Sequence, residues 1–189
     1  MNRVIGLAGP KGCGKSTFAS KLCIHYGFTA VSFSYPIKAM LHTMGVDMQL
    51  LTDPVRKEEV IEELGCSPRY LMQTLGTEWG RTLVDDQLWL KLAKKRIESD
   101  SSRDYVVDDV RFVNECELVH SLGGCIIRFD KDKQTQDSHT SEAGLPNDLV
   151  EFDISGFKHQ DPDEFVQDFM EIKYNGTFNN TKPQVELSH

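Results

Sequence analysis

Gly9-Pro10-Lys11-Gly12-Cys13-Gly14-Lys15-Ser16 is the stretch that decides the fold. It satisfies G-x-x-x-x-G-K-[ST], with an apolar run before it (residues 3–8) and helical spacing after it. Gly9, Gly12 and Gly14 let the backbone wrap an anion with its N–H groups inward. The positive end of the following helix adds to that attraction. Lys15 is expected to reach the β- and γ-phosphates of a nucleoside triphosphate, Ser16 to ligate Mg²⁺ and Thr17 to donate to the α-phosphate. Gly12, Cys13 and Gly14 complete the expected ATP-binding set.

Outward from the loop, Phe18, Ala19, Leu22, Cys23 and Tyr26 recur at helical spacing until Gly27. Residues 29–33 read as a second short strand, and strand–helix–strand at this spacing implies a parallel sheet. Helical patterns follow: Ile37, Met40, Leu41 and Met44 up to Gly45; a charged helix opened by Asp53-Pro54 and closed by Gly65; one opened by Ser67-Pro68 with Leu71, Met72 and Leu75; and Leu88, Trp89, Leu92, Ala93 and Ile97. The sheet resumes at 105–110 and 124–129, separated by a helix with Leu118, Val119 and Leu122, and a weaker strand covers 149–154. Asp161 caps a last helix, with Glu164 three residues on. The expectation is an α/β, three-layer P-loop NTPase fold with a mostly parallel five-stranded sheet. A P-loop domain spans 1–174, with a helical insert at about 35–98 and a polar segment at about 130–142; the polar stretch 175–189 reads as a disordered tail.

The chain has 189 residues, 39% hydrophobic and 26% charged, the profile of one soluble globular domain. A net charge of −8 argues against direct nucleic-acid binding, which needs a basic face. The five cysteines form no CxxC pair, which fits reduced thiols and a cytoplasmic protein rather than a disulfide framework or a zinc site. No apolar run approaches the roughly 20 residues of a membrane span, and the N-terminus lacks signal-peptide organisation.

Two further segments carry chemistry. Val106-Val107-Asp108-Asp109-Val110-Arg111 has the form of a Walker B strand, whose carboxylate holds the metal's water shell or accepts a proton. Adjacent side chains of a strand point to opposite faces, so only one aspartate should face the loop, and spacing does not choose between them. Arg111 follows at the strand's carboxyl end. In the insert, Arg69 and Arg81 can fork onto an acceptor phosphate, Gln73 can read a base edge, and Lys38 can contact a phosphate. Tyr70 or Trp79 can stack on a base, though Trp79 and Trp89 more simply read as core.

The order of Gly9–Ser16, Phe33-Ser34-Tyr35-Pro36-Ile37-Lys38, Leu71-Met72-Gln73-Thr74-Leu75-Gly76-Thr77-Glu78-Trp79-Gly80-Arg81, Asp109-Val110-Arg111-Phe112 and His139-Thr140-Ser141-Glu142 resembles the deoxynucleoside monophosphate kinases of tailed bacteriophages. The resemblance covers residues 3–170. It implies transfer of the ATP γ-phosphoryl to a dNMP, with Mg²⁺, in a host cytoplasm if phage-encoded, and it is compatible with a homodimer. It makes Asp109 the metal-side carboxylate with Ser16. It makes Arg69, Gln73, Arg81 and Arg111 acceptor-site residues, and Lys38, Trp79, His139, Ser141 and Glu142 join them as expected substrate contacts, the last three contacting a nucleotide or latching a closed lid at 130–142. Lys15, Asp109 and Arg111 are the expected catalytic residues. The 130–142 segment has no arginine, unlike the lids of the wider nucleotide-kinase pattern, so Arg128 just before it is expected to supply that catalytic charge. Phosphomevalonate and dephospho-coenzyme A kinases are the nearest competing class. A GTPase-like regulator would need N-K-x-D and D-x-x-G, and neither occurs.

Overall fold

Val4-Ile5-Gly6-Leu7-Ala8 is buried along its whole length, which is why it shows no polar alternation: a strand covered on both faces has none to show. In the computed structural model, which describes residues 2–130, 145–157 and 160–174, this strand is the centre of a five-stranded sheet. The strands are β1 (Val4–Ala8), β2 (Thr29–Val31), β3 (Tyr105–Val110), β4 (Cys125–Phe129) and β5 (Phe152–Ile154). Their order is β2-β3-β1-β4-β5 and every pairing is parallel. The expected parallel unit of the first two strands exists, but β3 is inserted between them.

The chain divides into two compact units, one from residues 1–31 and 97–189, the other Ser32–Arg96. In the first, helices α1 (Lys15–Tyr26) and α7 (Pro162–Tyr174) share a core with Ile5, Leu7, Val106 and Ile127, on one sheet face. Phe18 of α1 sits among edge-on contacts to Phe129, Phe157, Phe165 and Phe169, with ring centroids 5.4–6.3 Å apart. Helix α6 (Val113–Ser121) covers the other face, where Gly6 opens toward Val110, Val119 and Ile126. Asp161 caps α7 as expected, accepting from the amides of Asp163 and Glu164. Arg3, at the start of β1, bonds Asp104, before β3, through its amide (2.6 Å) and guanidinium (2.7 Å), and lies over the Phe28 and Tyr174 rings.

The second unit holds α2 (Tyr35–Thr43), α3 (Met48–Thr52), α4 (Pro68–Gln73) and most of α5 (Leu88–Glu98). The expected charged helix between Asp53 and Gly65 does not form. Asp53 does cap, accepting from the amides of Val55 and Arg56, but only the turn Arg56–Glu58 follows. The amide of Ile61 turns to the Cys66 carbonyl at 3.0 Å instead, and Val55, Val60 and Leu64 stay exposed: this stretch has no apolar stripe to bury as a helix. Helix α3 was not legible in the sequence, though Asp47 caps it by accepting from the Gln49 amide. Beyond α4 the chain widens into a π-helix, Thr74–Val84, with Asp85 N–H bonded to the Gly80 carbonyl five residues back. Two other bounds shift. β2 ends at Val31, where a Ser32–Ser34 hydroxyl contact turns the chain, and Asn147–Leu149 is a 3₁₀ turn preceding a shorter β5.

Candidate active site

The phosphate loop joins β1 to α1 and depends on glycine at both ends. Gly9 has φ +129°, and a Cβ there would lie 2.3 Å from the Phe129 carbonyl oxygen. Gly14 has φ +103° and caps α1; a Cβ there would lie 2.3 Å from the Phe157 ring. The α1 N-terminus has no capping side chain and no acidic residue in its first turn, so its amides face the loop without competition. Lys15 Nζ donates to the Gly9 and Pro10 carbonyls at 2.5 and 2.6 Å, with Cys13 Sγ at 3.4 Å. Cys13 is buried, while Ser16 and Thr17 are exposed at the helix start.

β3 lies directly beside this loop and carries the two aspartates across a bulge. Gly6 pairs with Val107 and Ala8 with Val110, so β3 takes three steps where β1 takes two. Gly6 looks toward α6, so its partner Val107 and the next partner Val110 belong to that face as well. Asp108 and Asp109 together stand opposite Leu7, whose side chain belongs to the α1-face core. Strand alternation, on which the expectation of a single loop-facing aspartate rests, does not run through this bulge. Burial raises the Cys23 thiol on α1, a hydrogen bond at the Ala30 backbone opposes this and the Asp108 charge adds to it, which agrees with Asp108 lying on the α1 face.

Arg111 leaves the carboxyl end of β3. Its amide and that of Phe112 both donate to Glu115 Oε2, at 2.6 and 3.1 Å. Glu115 is the third residue of α6 and is buried at 2% exposure. Burial, followed by the Glu115 charge, pushes the neighbouring Cys116 thiol up to about 11. The Arg111 guanidinium is exposed and has no partner among the described residues. Sequence reading missed Glu115 because its N-cap position is Phe112, not the serine or threonine that announces a capping box.

Arg128 on β4, expected to be catalytic, is held in the structure by other groups. Its Nε and Nη2 donate to the two Asp153 oxygens at 2.6 and 3.0 Å, and Nη1 to the Leu145 carbonyl and Asn147 Oδ1 at 3.1 and 2.9 Å. These four bonds tie β4 to β5 and to the chain entering it, so Arg128 reads here as a structural clamp.

The remaining candidates lie on the second unit. Gly76 and Gly80 of the π-helix are buried, and a Cβ on Gly80 would come within 2.4 Å of the Trp89 ring. Trp89 is core, its indole N–H donating to the Gly76 carbonyl at 2.8 Å. Trp79 is 41% exposed and leans on Trp89 at 6.4 Å, so the two tryptophans separate into one core and one surface ring. Arg69 Nε bonds Glu58 at 2.6 Å, and Arg81 is half-buried. Lys38 and Gln73 have no side-chain partner among the described residues. His139, Ser141, Glu142, the expected lid beyond Asp130 and the tail from 175 lie outside the described residues.

Oxygen donors suit Mg²⁺, which takes one or two carboxylates and keeps its other positions for phosphate and water. The Ser16 hydroxyl and the β3 aspartates fit that donor set, and no cluster of three or more His, Cys, Asp or Glu that could hold a metal occurs among the described residues.

Comparison with known proteins adds a second line. A family model described as deoxynucleotide monophosphate kinase matches residues 55–154. A protein of Acanthamoeba polyphaga mimivirus named as a deoxynucleotide monophosphate kinase is 30% identical over 180 residues, covering 86% of this chain and 91% of that one. The deoxynucleoside-5'-monophosphate kinase of Escherichia phage T5 is 32% identical over 114 residues, 56% of this chain and 45% of that protein. Shikimate kinase from Acinetobacter baumannii superposes with a TM-score of 0.52 at 11% identity over 95% of this chain and 97% of that one, a likeness of fold alone.

Proposed function

Because this chain belongs to the deoxynucleotide monophosphate kinase family, we propose that it transfers the γ-phosphoryl group of ATP to a deoxynucleoside monophosphate, giving ADP and a dNDP. The observation that carries the reading is where the family match falls. It begins at residue 55, past the phosphate loop, and spans the π-helix, β3 and β4. The family is therefore matched by a part of the chain that lies outside the loop that marks an ATP user.

The residues divide the work by chemistry. The amides of the loop and of the α1 terminus hold the ATP phosphates; Thr17 adds a donor. Lys15 exchanges the Gly9 and Pro10 carbonyls for phosphate oxygens and neutralises charge as it shifts in the transition state. Ser16 and Asp109 would hold Mg²⁺, which supplies charge neutralisation across the β- and γ-phosphates. Arg111 contacts the acceptor phosphate, with Arg69, Arg81 and Lys38 as further cations, Gln73 as a reader of the base edge and Trp79 as a stacking ring. The reading sets the reaction in the cytoplasm; no helix among the described residues is long and apolar enough to cross a membrane. A homodimer is compatible with this reading.

A coupled ADP-release assay tests it directly. The acceptors are the four dNMPs, the matching ribonucleotides, phosphomevalonate, dephospho-coenzyme A and shikimate. Release dependent on a dNMP is expected; release driven by one of the last three and by no dNMP would replace the reading with theirs.

A further inference from the structure

We infer that Glu115 is a positioning residue for the phosphoryl transfer, fixing the backbone from which Arg111 reaches the acceptor phosphate. The inference rests on the reading of Arg111 as a phosphate contact.

Glu115 is the one charged or polar side chain fully buried among the described residues, at 2% exposure. Burying a carboxylate is costly, and for packing alone an uncharged side chain of similar size serves better. What offsets the cost is visible. One oxygen accepts two backbone N–H bonds, from Arg111 at 2.6 Å and Phe112 at 3.1 Å, at the positive end of α6. Charge-assisted bonds of this kind are about twice as strong as neutral ones.

The two amides so held matter because of where they are. They follow Val110, the last residue paired to β1, just past the bulge that carries Asp108 and Asp109. Arg111's side chain is exposed and has no partner among the described residues, so only its backbone sets the direction in which it leaves the strand. A guanidinium placed this way is pre-organised: less freedom is lost when it meets a phosphate. Glu115 thus acts through Arg111 and does not itself touch substrate.

The test is a double-mutant cycle on dNMP kinetics with Glu115→Gln, Glu115→Ala and Arg111→Ala. Glu115→Ala should raise the dNMP KM about tenfold, and Glu115→Gln, which keeps an acceptor oxygen without the charge, about threefold. The KM for ATP should stay within about twofold of the parent. In the Arg111→Ala background neither change should add to the dNMP KM. If Glu115→Ala does not fold, the Gln variant carries the same cycle. Full additivity in the Arg111→Ala background, or an unchanged dNMP KM in folded Glu115 variants while Arg111→Ala raises it, overturns the positioning role. An unchanged KM in Arg111→Ala itself removes the premise about Arg111 instead, and the inference goes with it.

Discussion

At the scale of single residues, the loop lysine and the paired aspartates give the sharpest expectations. Lys15→Ala should fold normally yet lose roughly 10²–10³-fold in kcat, the scale of removing one transition-state charge donor. Circular dichroism and single-turnover rates measure the two halves of that statement. Asp109→Asn should reduce kcat more than Asp108→Asn, since an amide keeps the shape but not the charge. Because the bulge sets both aspartates opposite Leu7, at the end of β1 that enters the phosphate loop, Asp108→Asn should also be measurably impaired. Wild-type activity in Asp108→Asn would leave the bulge without a catalytic consequence. Arg128→Ala should act differently. Losing its bonds to Asp153, Leu145 and Asn147 should lower stability by about 1–2 kcal/mol, with kcat of the folded enzyme little changed. Urea unfolding and steady-state rates separate the two effects.

At the scale of elements, the sequence was informative wherever a signal is local and silent where partners are distant. The phosphate loop was legible because glycine, lysine and serine at fixed spacing sit between an apolar run and a helix. β3 and β4 were legible as apolar runs, and α7 by its Asp161 cap. The bulge was not, because it is a property of register between β1 and β3, chains that meet across a sequence separation such as the 101 residues between Arg3 and Asp104. The clamp on Arg128 was hidden for the same reason, Asp153 being 25 residues on. The π-helix was hidden because α and π share composition; the trace it leaves is Gly76 and Gly80 under Ile37 and Trp89. Gly80→Ala should therefore cost about 1–3 kcal/mol by overpacking Trp89, seen as a lower denaturation midpoint. The Arg3–Asp104 tie between the starts of β1 and β3 gives a pH signature. Burial raises the Asp104 carboxyl, but the Arg3 hydrogen bonds and charge more than reverse this, so its folded pKa lies below the ordinary carboxylate value. The folded pKa being depressed, the tie's stabilisation is present above the unfolded value near about 4 and is lost as pH falls through the folded one. Asp104→Asn should thus be less stable at neutral pH and lose less on acidification, read from melting temperature against pH.

At the scale of the whole molecule, ligands should stabilise the chain by mass action. A nonhydrolysable ATP analogue at about 100 times its Kd adds about 2.7 kcal/mol, a rise of roughly 5–10 °C in Tm for a chain of this size. Lys15→Ala should abolish most of that rise in a thermal-shift experiment. The strand order β2-β3-β1-β4-β5 has another outcome, which concerns the order in which the protein is made. β1 pairs only with β3 and β4, and β2 only with β3, so no rung of the sheet can close until residue 105 has been synthesised. Until then the ribosome extrudes two unpaired apolar strands and, between β2 and β3, an unbroken stretch, Ser32–Arg96, that forms a compact unit. That stretch can compact while its flanks wait. Nascent chains arrested before β3 emerges should accordingly protect segments of 32–96 from protease while leaving 4–31 open, and protection of 4–31 should appear abruptly once β3 clears the exit tunnel.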